Sequence, residues 1–202
     1  MMTSYNTTKS APSNRATAGP FDAAELDDLT NFVDFGAIKI QPVQDMEIRL
    51  EIEEATGRPV AISLDYQNSN LQLQPFAAPK SEGLWHEVRA QLTESIREKA
   101  GVVEERVGSF GLELVAKLPL VDDHGNSVGH RYARFIGVDG PRWFLRGMIG
   151  GAAINDPASA SQIETLFRSV VVDRGTEPVP PRDLLTLHLP AGVVTPPRPS
   201  LI

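Results

Sequence analysis

The feature that most limits what this chain can fold into is a change of hydrophobic period along its length. Met46, Ile48, Leu50 and Ile52 alternate with Glu47, Arg49, Glu51 and Glu53, a period of two that puts one face of a strand in a core and the other in water. Thr56-Gly57-Arg58-Pro59 interrupts it. Val60, Ile62 and Leu64 then resume the alternation, and Leu71, Leu73 and Phe76 follow the turn residues Asn68-Ser69-Asn70, which predicts consecutive hairpins. A shorter strand is predicted around Ala37 to Ile40. From Leu84 the period changes: Leu84, Val88, Leu92 and Ile96 recur at i+4 until Gly101, one amphipathic helix with a glycine stop.

Strands return as Val102 to Val107 and Leu112 to Leu120, joined by Gly108-Ser109-Phe110-Gly111, and as Tyr132 to Val138 and Arg142 to Ile149, joined by Asp139-Gly140-Pro141. A second helix starts near Asp156-Pro157, an N-cap followed by proline, with Ser161 and Glu164 as an alternative capping box. Ile163, Leu166, Phe167 and Val170 form its apolar stripe, and Val170-Val171-Val172 predicts a last short strand. Hairpin spacing excludes repeated βαβ crossovers. The expected fold is therefore α+β: an antiparallel meander of about 7–9 strands with two amphipathic helices packed on it.

The length of 202 residues suits one domain with tails, and 41% hydrophobic with 22% charged residues allows a core. Residues 1–20 have almost no large apolar side chains and are expected to be a disordered tail. The domain is expected over 21–175. Residues 176–202 form a proline-rich extension, with Pro178, Pro180, Pro181, Pro190, Pro196, Pro197 and Pro199. Leu184, Leu185, Leu187 and Leu189 would be costly to leave in water, so this extension is expected to dock in part.

Charge and cysteine narrow the function classes. With 19 basic against 26 acidic residues the net charge is −7, which opposes the long-range attraction that nucleic acids and anionic membranes exert on their ligands. Nucleic acid and membrane are therefore not the expected partners. Cysteine is absent, excluding disulfides, thiolate nucleophiles and cysteine metal sites. No secretory signal or spanning segment is evident, so a cytoplasmic location is expected.

Catalytic motifs fail one by one. Gly147-Met148-Ile149-Gly150-Gly151 lacks the dinucleotide spacing. His86-Glu87 begins a helical zinc motif, but Ala90 stands where the second histidine belongs. Asp122-Asp123-His124-Gly125-Asn126 lacks the closing glutamate of a calcium loop and reads as a solvated turn. Ser109 is not in a nucleophile elbow. No catalytic residue, metal or cofactor is expected.

What survives is the hairpin Arg131 to Ile149, where Arg131, Arg134, Arg142 and Arg146 interleave with Tyr132, Phe135, Trp143 and Phe144. Its register decides its meaning. A three-residue loop sets Arg134 opposite Arg146 and leaves the other face wholly apolar; a two-residue Asp-Gly turn pairs Arg134 with Leu145 and divides the arginines between the faces. The first register is preferred for its clean apolar face. Arginines so placed either lie along a solvated face paired with Glu47, Glu51 or Glu104, or form a site for an anion or acidic partner. Trp143 is expected in the core. The candidate binding residues are Arg134, Arg142, Arg146, Tyr132 and Phe144.

The run Phe135-Ile136-Gly137-Val138-Asp139-Gly140-Pro141-Arg142-Trp143-Phe144-Leu145-Arg146-Gly147 resembles an actinobacterial family of uncharacterised proteins, domain of unknown function 3710. Leu71 to Lys80, Trp85 to Arg89 and Phe167 to Gly175 agree with it. The resemblance covers about residues 20–190 and implies no reaction or cofactor. A looser likeness, to PsbP-like α/β/α sandwiches, rests on element order alone. The expected function is a non-catalytic cytoplasmic binding or accessory module with a protein partner. The alternative is an enzyme or sensor for a small metabolite bearing phosphate or carboxylate.

Overall fold

The computed structural model describes residues 6–192. In chain order the elements are α1 (Arg15–Ala18), β1 (Phe21–Asp22), β2 (Val33–Asp34), β3 (Ile38–Ile40), β4 (Glu47–Ile52), β5 (Pro59–Tyr66), β6 (Ser69–Ala77), α2 (Trp85–Glu98), β7 (Val102–Gly108), β8 (Gly111–Val121), β9 (Ser127–Asp139), β10 (Trp143–Gly151), α3 (Pro157–Ser169) and β11 (Val171–Val172). The main sheet is antiparallel, in the order β4-β5-β6-β10-β9-β8-β7. It is two hairpin runs rather than one meander. Helix α2 carries the chain from β6, in the middle, to the far edge at β7, and the second run zips back until β10 lies beside β6. The predicted strand around Ala37 belongs to a separate small sheet, β1-β11-β3-β2, in which Phe21 pairs in parallel with Val171.

The two helices lie on opposite faces, as in an α/β/α sandwich. On one face α3, the small sheet and the C-terminal segment bury Ile62, Leu64, Leu71, Leu73, Ile136, Val138, Trp143 and Leu145. On the other, α2 covers Leu114, Ala116, Ala133, Phe135 and Phe144. The strand alternation is thus read on both sides, which is why β9 and β10 are apolar at nearly every position near their shared turn. Trp85 stacks on Phe144 at 5.9 Å. Gly137 makes this possible, because a Cβ there would stand 2.4 Å from the Trp85 ring.

The N-terminus departs from a composition-based reading, whereas the C-terminal extension docks in part. From Thr7 the N-terminal segment docks between the residues before α2 and the hairpin turn: Gly83 N donates to Thr7 O at 2.7 Å, Asp139 N to Ser10 O at 2.8 Å, and Lys9 Nζ to Gly140 O at 2.5 Å. Residues 1–5 lie outside the described residues. Backbone groups hold this segment, so its lack of apolar side chains gives no warning of the docking. At the other end Leu185 and Leu187 are buried. This strap adds a partial strand: Ala77 N donates to Asp183 O and Leu185 N to Pro75 O, each at 2.9 Å, and Ala37 N donates to Thr186 O at 3.0 Å. Pro196, Pro197 and Pro199 lie outside the described residues.

Candidate functional site

The hairpin turn holds four residues, Gly140 to Trp143, closed by Asp139 opposite Phe144. Neither register considered from the sequence is the observed one. Arg134 stands opposite Ile149 and Arg146 opposite Gly137, so the arginines point to opposite faces. With a helix on each face both sides of the hairpin are apolar, so a clean apolar face does not select the register, and the turn takes in Trp143. That residue is fully buried, and its indole Nε1 donates to Asp22 Oδ2 at 2.8 Å.

Arg134 points to the α3 face and is 4% exposed. Its Nε and Nη2 donate to Glu113 at 2.8 Å, and Nη2 also bonds Glu164 of α3. Glu113 accepts a further bond from Arg106 Nε at 2.7 Å. Burial opposes the charge of Arg134, but its bonds to Glu113 and Glu164 and their charges outweigh this and hold it above the ordinary arginine range. It is a structural ion pair, closed to outside ligands. Glu164 is drawn into it instead of serving a cap, since Asp156 accepts from Ser159 N at 2.8 Å and caps α3.

Arg142 and Tyr132 are exposed but apart, the first in the turn that follows β9, the second in the middle of β9 opposite Lys117. Phe144 is buried between Phe76 and Trp85, at 5.9 Å from each ring. The five predicted residues therefore do not share a surface. Arg146 and Phe144 do share a cavity.

Arg146 projects to the α2 face where the sheet changes character. Toward α2 lie Phe144 and Phe76; toward β4 lie Gln74, Gln72, Ser63 and Glu51. The guanidinium sits 5.6 Å over the Phe76 ring and Nη2 donates to Gln74 Oε1. Among the described residues it makes no carboxylate ion pair within 4 Å, and burial alone pushes it below the ordinary arginine range. Glu51, the nearest acid along this row, is engaged by Gln72 Nε2 at 2.5 Å and by the Ser63 hydroxyl. A cavity of about 150 Å³ opens beside Arg146, lined by Phe76, Leu84, Val88, Phe144 and, at its rim, by Glu87 and Arg182. Arg182 Nη2 donates to Glu87 Oε2 at 2.6 Å. Gln74, Phe76 and Arg182 escaped sequence reasoning because they meet Arg146 through the β6–β10 pairing and the strap, contacts that no local pattern specifies.

A wider cleft of about 320 Å³ between the small sheet and the strap holds Asp34, Lys39, Asp173 and His188. Of its two basic side chains besides His188, Lys39 is ion-paired, its Nζ lying 3.0 Å from Asp34 and 3.5 Å from Asp173, and Arg174 donates to the Glu177 and Val179 carbonyls at 2.9 and 3.2 Å. Among the described residues no three histidine, aspartate or glutamate side chains gather as a metal site, and no helix is long and apolar enough to cross a membrane.

No curated protein matches the chain. Among solved structures, that of cyanobacterial PsbP (CyanoP) from Synechocystis sp. PCC 6803 is similar at a TM-score of 0.39 and 12% identity, over 67% of this chain and 86% of that one. The family described as protein of unknown function, DUF3710, matches residues 19–195. With nearly all of the described fold inside that match, the chain belongs to the DUF3710 family.

Proposed function

We propose that this protein is a non-catalytic, cytoplasmic binding module and that its working site is the Arg146 cavity, which takes one carboxylate or phosphate group of a protein partner. The observation that carries this reading is a largely buried guanidinium with an aromatic floor and a glutamine tether that, among the described residues, makes no carboxylate ion pair, the Glu87 at the rim being bonded by Arg182. A cation removed from water without a counter-ion is held at a cost, and an incoming anion would gain a charge-assisted, bidentate bond there. Size separates the two expected ligands. Metabolite pockets run from roughly 300 to 1,000 Å³, whereas about 150 Å³ suits a single charged group borne by a larger molecule.

The test is affinity purification from the native host with the wild-type chain and with Arg146→Gln. A stoichiometric partner held by the first and lost from the second, at equal thermal stability, supports the reading. A partner retained equally by both removes Arg146 from the interface. A screen of free phosphates and dicarboxylates that raises the melting temperature of wild type but not of Arg146→Gln would instead favour the small-metabolite sensor.

A further inference from the structure

The sheet has two free edges, and they are not equally protected. Edge strand β4 pairs regularly with β5 only from Glu47 to Glu51 and ends in a register shift at Ile52, the kind of irregularity that blunts an edge against further pairing. Edge strand β7 pairs with β8 without interruption from Val102 to Gly108. It contains no proline, and Val102 and Val107 are 66% and 80% exposed. Its side chains are Val102, Val103, Glu104, Glu105, Arg106 and Val107.

The hydrogen-bonding parity of this edge is fixed by its hairpin. A two-residue turn closes on the pair Gly108 and Gly111, which is a hydrogen-bonded pair, so the even-numbered residues of β7 bond to β8 and the odd-numbered ones turn their N–H and C=O outward. The Leu112 carbonyl agrees. It stands opposite Val107, is turned away from β7, and accepts Trp85 Nε1 at 2.6 Å. Val103, Glu105 and Val107 therefore present the unpaired ladder groups.

We infer that β7 is a self-association edge, on which a second copy of this chain adds antiparallel to make one continuous sheet about a two-fold axis through Glu105. Outward groups must meet outward groups, so odd-numbered residues face odd-numbered ones and few registers are open. An axis at Glu104 sets Glu104 against itself, and an axis at Arg106 sets Arg106 against itself; like charges directly opposite are unfavourable. The axis at Glu105 alone among these sets Glu104 of each copy opposite Arg106 of the other, and Val103 opposite Val107. It also uses the whole strand. The facing Glu105 side chains lie on the α2 face, where each is already matched by Arg89 Nε at 2.5 Å. Charges on the edge select the register and oppose unspecific pairing.

Sedimentation equilibrium of the full chain, from low micromolar to millimolar concentration, tests this. The wild type is expected to dimerise reversibly. Glu104→Arg alone and Arg106→Glu alone each place like charges opposite and should weaken dimerisation by at least about tenfold. An equimolar mixture of the two variants should dimerise again, because opposite charges then face at both positions. Val107→Pro removes one outward N–H and no bond to β8. It should keep the monomer's melting temperature and lose the dimer, which guards against misfolding of Arg106→Glu. A wild type that stays monomeric at millimolar concentration overturns the proposal, as does a dimer indifferent to Glu104→Arg and Val107→Pro.

Discussion

Arg134 and Arg146 stand on neighbouring strands of one hairpin, yet they meet opposite fates. Arg134 enters the α3 face, where Glu113 and Glu164 receive it, and its charge is strengthened despite burial. Arg146 enters the α2 face, where it meets a ring and an amide, and burial weakens its hold on its proton. The sequence spacing does not distinguish them. What separates a structural cation from an available one is whether the elements packed opposite supply acids, and only the tertiary fold decides that.

Substitutions sharpen the contrast, and the largest effect belongs to Arg134→Met. It strips a buried glutamate of its main counter-ion and should cost about 3–5 kcal/mol in urea denaturation; a loss below about 1 kcal/mol would show that Glu113 finds another partner. Asp139→Ala comes next. This buried carboxylate accepts from Leu84 N at 2.7 Å and Ser10 N at 2.9 Å, and leaving those donors unpaired should cost about 1–3 kcal/mol.

Asp139 also offers a pH signature on the Arg146 side of the sheet. Burial raises it above the ordinary aspartate range, against the backbone N–H groups and Lys9, which lower it. As pH climbs from the ordinary aspartate value toward the raised one, the native state keeps a proton that the unfolded chain has released. Stability from this group therefore falls with rising pH in that window. The stability of wild type minus that of Asp139→Asn should decline there, and a flat difference would remove Asp139 as the source. Glu164→Gln, at a partly exposed position, should cost about 1 kcal/mol by thermal melting. The smallest effect is expected of Arg146→Met: no acid is orphaned, so stability should change by less than about 1 kcal/mol. A loss as large as that of Arg134→Met would abolish the comparison and make both arginines structural.

Much of the fold was legible in the chain. Alternation from Met46 to Phe76 marked β4 to β6, the i+4 stripe from Leu84 marked α2, and Asp156-Pro157 marked the start of α3. The leucines after Arg182 pointed to docking because exposed leucine is costly, and Leu185 and Leu187 are buried. The hairpin register was misread because an apolar face was sought on one side only. With a helix on each face, β9 and β10 are apolar on both, so alternation no longer fixes parity. The site was half legible. Arg146 and Phe144 could be flagged as an arginine and an aromatic in one strand, but Gln74 lies 72 residues from Arg146 in the chain. Nonlocal pairing of that kind leaves no periodic trace.

The parallel pairing of Phe21 with Val171 and the antiparallel pairing of the strap with Pro75 and Ala77 bear on how the molecule is made. Strand β1 cannot pair until β11 has been made, and β6 waits for residues beyond Arg182. The small sheet can close only after β11 has been synthesised. Until then the nascent chain carries the oily side of β5 and β6 without its cover, so a stop codon placed just after α3 should yield a product that chaperones hold and proteases clear.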